Sequence, residues 1–279
     1  MKKLFFLLII SFVWFSCDKV EPPFVEENLE VSSEKVVLVE DFTAHLCNNC
    51  PFAHRKLEEL KMIYGEKIVS IGIHVGALAV PLTATYYPED FRTETGDELD
   101  EYYGASAAGL PIGMVNRKKI SGSELLPYDE WASAIQQILE TPQTLEITTD
   151  VNYVESSRSI ILTSKIEVIN TFENNGNLMI CFYLIEDSII GWQKDAGNES
   201  NEDVSNYIHR NVLRTSLNGT WGQTIDLDPQ VEGNTVTINL NSFVVDTLYN
   251  VNNCYIVSFV YEDNDNEILQ ADKVKIVVN

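Results

Sequence analysis

The sequence predicts an α/β domain followed by an all-β domain. A strand, a helix and a second strand follow one another between residues 36 and 75. Short β runs, separated by turns rich in Asn, Asp, Gly and Ser, fill residues 144–279. Thr141-Pro142 lies between the two patterns. We therefore expect domains at residues 35–141 and 142–279, each long enough to bury a core of its own.

The first half begins with a strand–helix–strand unit. The β-branched run at residues 36–39 is typical of a strand buried on both faces. Apolar residues then recur at helical spacing after Cys50, and Gly65 is placed to end that helix. Residues 68–75 predict the next strand. A right-handed crossover would make the two strands parallel and leave the helix N-terminus at the carboxyl end of the sheet.

Cys47 and Cys50 stand where the first strand leads into this helix. Unpaired N–H groups and the positive end of the helix dipole lower the pKa of a thiol at such a place. We predict that Cys47, accessible to a partner, attacks the partner's disulfide and that the less exposed Cys50 resolves the mixed disulfide. An inert structural disulfide is the alternative.

The chain resembles thioredoxin-like proteins at four places between residues 35 and 140. Asp41 lies six residues before Cys47, the spacing of that family's buried acid, and Gly-Leu-Pro-Ile at 109–112 resembles the segment around its cis-proline. Residues 116–119 resemble the turn of the closing hairpin, and residues 128–140 resemble the terminal helix. The resemblance implies that Asp41 moves the proton of the resolving cysteine and that a cis Pro111 exposes backbone to an extended substrate segment.

Simpler interpretations of these residues remain open. Asp41 would be a carboxylate that caps nearby backbone, and Pro111 would be an ordinary trans proline in a loop. An additional segment at about residues 76–101 departs from the thioredoxin pattern. It predicts a helical excursion over the edge of the sheet.

A metal site is the alternative chemistry for the cysteines. His45, His54 and His74 all fall near them in the predicted fold. Two thiolates together with imidazoles suit copper or zinc, so Cys47, Cys50 and His74, with or without His45, are an alternative ligand set. The redox interpretation accounts for the same cysteines without any cofactor.

The N-terminus has the pattern of an export signal. Lys2-Lys3 precede an apolar run at residues 4–15, which is too short to span a bilayer, and Ser16-Cys17 follow it. The pattern resembles a bacterial lipoprotein signal, which implies a signal peptide at residues 1–16 and a lipid on Cys17. A plain secretory signal is the alternative. Residues 17–34, which are acidic and contain Pro22-Pro23, predict a flexible tether.

Charge and cysteine content bound the functions further. The chain has 42 Asp and Glu against 19 Lys and Arg, a formal net charge of −23. Such a balance repels nucleic acid, so a nucleic-acid partner is not expected. Cys181 and Cys254 lie inside apolar, strand-like runs. In an oxidising compartment they would either bridge two sheets or remain buried thiols.

The second half predicts an antiparallel sandwich, roughly immunoglobulin-like. Its predicted strands are 145–154, 159–169, 178–185, 235–240, 255–261 and 274–278. The basic cluster His209, Arg210 and Arg214 would bind an anion or the neighbouring domain, although a structural role is favoured. The alternating acids Asp263, Asp265 and Glu267 lack a complete calcium loop, which favours a solvated hairpin tip.

A second resemblance covers nearly the whole chain. Residues 207–214 and 218–222, the lipoprotein signal, the Cys-Asn-Asn-Cys-Pro run and the Gly-Leu-Pro loop resemble the outer-membrane lipoprotein family named after a twenty-eight-kilodalton outer-membrane protein. The resemblance implies a lipid-anchored protein on either face of the outer membrane. We predict a thiol–disulfide oxidoreductase that acts on envelope proteins, and the main alternative is a redox-silent surface binding protein.

Overall fold

The computed structural model describes residues 35–174 and 176–278. The predicted signal peptide, the tether and Cys17 lie outside these residues. Strand β1 (Val37–Thr43), helix α1 (Cys50–Tyr64) and strand β2 (Ile68–His74) form a parallel βαβ unit, as predicted. Strand β1 is buried along its whole length. Gly65 follows α1 with φ 59°, which a residue without Cβ adopts readily, and this confirms the predicted helix end.

The chain returns to the edge of β1 after a long excursion. Helices α2 (Glu94–Tyr103) and α3 (Ala105–Ala108) precede strand β3 (Ile112–Val115), which is antiparallel to β1. The predicted excursion at residues 76–101 is therefore helical mainly at its end. Helix α4 (Trp131–Leu139) buries an apolar face that includes Trp131, within the range predicted for the last helix of this half.

Ten strands follow α4 in the described residues. Their positions are β4 (Leu145–Val154), β5 (Ser159–Val168), β6 (Leu178–Glu186), β7 (Ile189–Lys194), β8 (Asp203–His209), β9 (Val212–Ser216), β10 (Gln223–Ile225), β11 (Thr235–Val244), β12 (Cys254–Glu262) and β13 (Ile268–Lys275). The strand predicted at 274–278 lies several residues earlier, and β7 to β10 were not predicted.

One large sheet contains strands from both halves of the sequence. Its order is β13-β12-β6-β9-β2-β1-β3, with β10 paired to β6. The two halves join where the Gly72 N–H donates to the Asn211 carbonyl at 2.9 Å. A Cβ at residue 72 would lie 3.3 Å from the Arg210 carbonyl oxygen, so glycine permits this close approach. The described residues therefore belong to one compact unit that does not divide at residues 141–142.

A second β layer covers part of the large sheet. Strands β11, β5 and β4 form a three-stranded antiparallel sheet. Its inward residues, such as Leu162 and Ile166, share an apolar core with Phe182 and Leu184 of β6 and Ile256 of β12. Two facing β layers are what a sandwich requires, and the immunoglobulin-like class, predicted from the spacing of the β runs, stays a prediction.

A buried ion pair lies where the two halves meet. Arg117 donates two hydrogen bonds, of 2.8 and 2.7 Å, to the Glu40 carboxylate, and the two side chains are 0% and 1% exposed. Aromatic rings of Tyr103, Trp221, Phe259 and Tyr261 surround the guanidinium. The sequence indicates only a hairpin turn at Arg117, and the ion pair with Glu40 becomes visible only in the structure.

Cys181 and Cys254 are free, buried thiols. They lie on adjacent antiparallel strands, where Cys181 faces Phe259 and Cys254 faces Glu186. Five positions of strand separate the two cysteines, which is roughly 17 Å at the rise of a β-strand. A disulfide needs Cα atoms closer than about 7 Å, so the bridge considered from the sequence does not form.

Candidate functional site

Cys47 and Cys50 form a disulfide at the N-terminus of α1, with Cα atoms 5.4 Å apart. The helix begins at Cys50, whose N–H donates to Cys47 Sγ at 3.1 Å. This N–H is one of the donors that a helix start leaves without an intrahelical acceptor. The sulfur predicted to be the nucleophile therefore lies where the helix stabilises negative charge.

Both cysteines are buried, which corrects the prediction that Cys47 is accessible. Cys47 is 3% exposed and Cys50 is 0% exposed. Residues 193–196, which we call the strap, lie against the loop that contains Cys47. Gln193 Nε2 donates to the carbonyl oxygens of Ala44 and Cys47 at 3.2 and 3.0 Å.

Backbone hydrogen bonds and an ion pair hold the strap in place. The Lys194 N–H donates to the His45 carbonyl, and the Ala196 N–H donates to the Asn48 carbonyl, both at 2.8 Å. The Arg55 guanidinium of α1 pairs with the Asp195 carboxylate at 2.9 Å. The strap thus fixes the backbone on both sides of Cys47, and some of the contacts that bury Cys47 must open before a partner reaches its sulfur.

The proline loop lies beside the disulfide. The Leu110–Pro111 peptide bond is cis, so the alternative of an ordinary trans proline is wrong. Leu110 packs against a small cluster of buried residues, which are Ala44, Cys47, Cys50 and Ala79. The structure thus brings the predicted loop and the predicted cysteines together.

Asp41 is a buried acid, as predicted. It is 1% exposed, and the loss of hydration raises its pKa to about 8. Asp41 Oδ1 has no hydrogen-bond partner among the described residues, and Oδ2 lies 3.5 Å from His54 Nε2. The alternative role, capping of nearby backbone, is not what the described residues show.

His54 links Asp41 to the second half of the chain. It lies one helical turn after Cys50, on the same side of α1. Its Nε2 is 3.0 Å from Thr43 Oγ1, and its Nδ1 is 2.7 Å from Tyr207 Oη in β8. Burial lowers the pKa of His54 to about 4, so the imidazole is neutral at pH 7.

A cleft of about 490 Å³ runs from the surface to Asp41 and His54. Its walls are α1 and residues 207–212, and exposed residues of α1, including Met62, lie at its mouth. His74 and His209 also line it, with ring centroids 5.6 Å apart. Burial lowers the pKa of His209 to about 3 and that of His74 well below its usual value. The deep part of the cleft is therefore polar but uncharged at neutral pH.

The alternative metal site is not assembled. Cys47 and Cys50 are bonded to each other, and His45 Nε2 lies 3.3 Å from the Val80 carbonyl oxygen. Within residues 35–174 and 176–278, no three His, Cys, Asp or Glu side chains are arranged to hold a metal ion. The ligand set of Cys47, Cys50 and His74, with or without His45, is therefore not found.

The basic cluster of the second half has structural partners. Arg210 pairs with Asp187 at 3.2 Å, and Arg214 pairs with Glu186 at 2.8 Å. His209 packs its ring against His74 of the first half. Both arginines thus have acidic partners within the protein, in line with the structural role favoured from the sequence.

The acidic turn is held by local contacts. Asp263 accepts hydrogen bonds from Asn177, Asp265 accepts from the Glu267 N–H, and Glu267 pairs with Lys118. The carboxylates of this turn thus bond to neighbouring protein groups, as favoured for the hairpin tip over a calcium site.

Three residues of the site were missed in the sequence. Gln193, Asp195 and Tyr207 lie about 150 positions after the cysteines, and only the fold brings them to α1 and the loop before it. Tyr207 does fall in the 207–214 segment that carried the family resemblance. That segment was the available signal for a role in the site.

Comparisons with known proteins identify a family and a fold. The model of the family described as outer membrane protein Omp28 matches residues 96–279. No curated protein is significantly similar to the chain. HBP35 of Porphyromonas gingivalis is 16% identical, with a TM-score of 0.59, over 87% of this chain and 75% of its own. The two proteins therefore share a fold.

Two further solved structures are more distant. A domain of the outer membrane lipoprotein Omp28 from Porphyromonas gingivalis is 21% identical, with a TM-score of 0.32, over 49% of this chain and 90% of its own. Protein AGR_C_4864 from Agrobacterium tumefaciens is 15% identical, with a TM-score of 0.47, over 88% of this chain and 99% of its own.

The family match settles where the protein belongs. In the part of the chain that the structure describes, no helix has both the length and the apolar character needed to cross a bilayer. The family model extends from α2 to the last residue of the chain. Because it covers most of the sequence, this protein is a member of the Omp28 family of outer membrane proteins, which confirms the predicted family and the predicted outer-membrane localisation.

Proposed function

We propose that this protein exchanges disulfides with envelope proteins at the outer membrane, held there by a lipid on Cys17. Cys47 and Cys50 are the redox pair of a thioredoxin-like domain in this proposal. The strand order β2-β1-β3, the helix start at Cys50 and the cis Pro111 beside the disulfide support that assignment.

The observation that carries the proposal is the buried Asp41 carboxyl group, whose Oδ1 has no hydrogen-bond partner among the described residues. A buried polar atom without a hydrogen bond costs stability, and a strongly shifted pKa in a cleft is typical of a functional group. A purely structural disulfide has no use for such an acid. With a pKa of about 8, Asp41 is protonated at neutral pH and can give its proton to a thiolate and take it back.

Exchange with a partner dithiol has two steps. A partner thiolate attacks Cys47 Sγ, and the Cys47–Cys50 bond breaks as a mixed disulfide forms. Cys50 leaves as a thiolate and accepts the proton of Asp41. The partner's second thiolate then attacks the partner sulfur that is bonded to Cys47. This releases the Cys47 thiolate, which the Cys50 N–H stabilises. The partner loses two electrons and Cys47 and Cys50 gain them, and the reverse sequence reduces a partner.

Burial of the disulfide supports a second candidate. With Cys47 3% exposed under the strap, the same fold would suit a redox-silent binding lipoprotein with a structural disulfide. The two candidates differ in whether the disulfide equilibrates with external dithiols. Structural disulfides have reduction potentials below about −300 mV.

Equilibration of the folded protein with dithiothreitol redox buffers tests the proposal. Alkylation and mass spectrometry give the reduction potential and the exchange rate of Cys47–Cys50. We expect a potential above about −300 mV and a rate that falls in Asp41→Asn but not in Glu59→Gln, an exposed acid on α1. A lower potential without exchange would establish the second candidate instead.

A trapping experiment would identify the partner class. The Cys50→Ala variant cannot resolve a mixed disulfide, so Cys47 should retain an envelope protein through a bond that dithiothreitol releases. The matched Cys47→Ala variant should retain none. Equal capture by the two variants would count against Cys47 as the attacking sulfur.

A further inference from the structure

We infer that His54 carries the proton between Asp41 and the cleft and that Tyr207 of the second half holds its imidazole ring in place for that transfer. The inference rests on the proposed exchange function, since it describes how Asp41 recovers the proton that it gives to Cys50. It adds a positioning residue, Tyr207, and a relay residue, His54, to the reaction.

Asp41 lines the deep part of the cleft but has almost no solvent-exposed surface of its own, so a neighbouring group that exchanges protons with the cleft would help to reprotonate it. The side chain is 1% exposed, and the ring of His54 stands beside its Oδ2 at 3.5 Å. His54 itself is 20% exposed and lines the cleft that opens at the surface. The imidazole, which is the more exposed of the two groups, therefore offers a proton in the cleft a path to Asp41.

The contacts of His54 fix which nitrogen faces which group. Nε2 points to the β1 side, 3.0 Å from Thr43 Oγ1 and 3.5 Å from Asp41 Oδ2. Nδ1 points to the second half, 2.7 Å from Tyr207 Oη. The two nitrogens thus connect the buried acid to a hydroxyl that also lines the cleft.

A neutral imidazole suits this task. It has one nitrogen that donates and one that accepts, so a proton can enter at Nδ1 while another leaves from Nε2. When Asp41 has given its proton to Cys50, Nε2–H donates its proton to the carboxylate while Nδ1 takes one from the cleft, and the Tyr207 hydroxyl holds the ring in position. The titratable or charged groups near His54 are Asp41, Arg55, His74, Asp195, Tyr207 and His209.

The experiment measures exchange of the full chain with dithiothreitol between pH 6.5 and 8.5. We expect His54→Ala to lower the exchange rate on the order of 10²-fold, the size of a lost proton-transfer group. Added imidazole should restore the rate in proportion to its concentration, because the cleft of about 490 Å³ admits it. Tyr207→Phe should give a smaller loss that imidazole does not restore.

Two variants separate a relay from a structural role. His54→Gln keeps hydrogen-bonding groups toward Thr43 and Tyr207 but cannot carry a proton, so it should be as slow as His54→Ala and should test the relay even if the alanine variant does not fold. Lys56→Ala, on the exposed side of the same helix, is the matched control and should exchange at the wild-type rate.

Each outcome decides the inference. Wild-type rates in His54→Gln, or a loss in folded His54→Ala that imidazole does not restore, would overturn the relay and leave the exchange function standing. A wild-type protein that does not exchange with dithiothreitol would overturn the exchange function and the relay with it.

Discussion

Asp41 makes the stability of this protein depend on pH in a direction opposite to that of an ordinary aspartate. Its folded pKa is about 8, whereas an exposed aspartate has a pKa of about 3.9. Between these values the folded protein keeps a proton that the unfolded chain has released. The free energy of unfolding therefore falls as the pH rises through this window.

Two histidines of the cleft, His54 and His209, affect the stability of the fold at acidic pH. The pKa values of His54 and His209, about 4 and about 3, lie below the usual value of about 6.5. Below pH 6.5 the unfolded chain takes up protons that the folded protein does not bind. Their contribution therefore lowers stability as the pH falls, so acid weakens the fold around the cleft.

Asp41→Asn should remove the first of these effects. Because asparagine does not ionise, the stability of the variant relative to wild type should rise with a slope of about 1.4 kcal/mol per pH unit between pH 5 and pH 7.5. Urea denaturation of both proteins across this range measures the slope. Parallel stability curves would show that the folded pKa of Asp41 is not raised.

At the scale of elements, the strap fixes the loop that contains Cys47, and we expect it to limit access to the disulfide. Residues 193–196 continue β7 and bond to the backbone of residues 45–48. The strap and α1 also share the Arg55–Asp195 ion pair, in which the carboxylate is 10% exposed. Exchange requires that these contacts open without unfolding the sheet.

Arg55→Ala should speed the reduction of Cys47–Cys50 by dithiothreitol. The pair contributes about 0.5–1 kcal/mol to holding the strap closed, which corresponds to roughly a two- to fivefold increase in rate. Lys56→Ala, which removes an exposed pair with Glu59, should leave the rate unchanged. An equal rate in wild type and Arg55→Ala would mean that the strap does not limit access.

Element prediction succeeded where burial leaves a pattern in the sequence. The β-branched run of β1 and the alternation of β4 gave strands close to those observed. Strand β8 was missed because most of its residues are partly or fully exposed, so it has no apolar run. Strand β13 was shifted because its middle carries polar residues, including Asp272, which accepts from the Thr149 N–H at 3.0 Å.

At the scale of the whole molecule, the Glu40–Arg117 pair stabilises the joint between the halves. Glu40 lies in β1, and the guanidinium of Arg117 is enclosed by rings from both halves. Removal of one partner leaves a buried charge without compensation. Burial opposes the charged form of Arg117, but the Glu40 carboxylate beside it raises the pKa of the guanidinium well above its usual value.

A double-mutant cycle measures this pair. Glu40→Gln and Arg117→Met should each lower the free energy of unfolding by about 3–5 kcal/mol, while the double variant should lose much less than their sum. Urea denaturation gives the three values. Lys165→Met, at an exposed pair with Glu167, is the control and should lose at most about 1 kcal/mol. Additive losses in the cycle would contradict coupling between Glu40 and Arg117.

The attachment of the molecule to the membrane is tested at Cys17. Cys17→Ser removes the thiol that would carry the lipid, so the variant should leave the outer-membrane fraction and lose labelling by a radioactive fatty acid. Ser33→Ala, in the tether, should change neither result. Unchanged fractionation of Cys17→Ser would refute the lipid anchor.

The sequence by itself determined the βαβ unit and the cysteines at its helix start, and the thioredoxin-like resemblance implied the buried acid and the cis-proline loop. These features depend on hydrophobic periodicity, helix ends and short motifs, which are properties of neighbouring residues. The sequence also determined the family, because the matching segments are continuous in the chain.

Only the tertiary structure decided what surrounds the disulfide. Gln193, Asp195 and Tyr207 come about 150 residues later in the sequence, yet they contact α1 or the loop before it. The backbone hydrogen bond of Gly72 joins the two halves into one sheet. The register of the strands also keeps Cys181 and Cys254 apart as free thiols. Contacts between distant segments depend on how whole elements pack, and packing leaves no periodic mark in a single sequence.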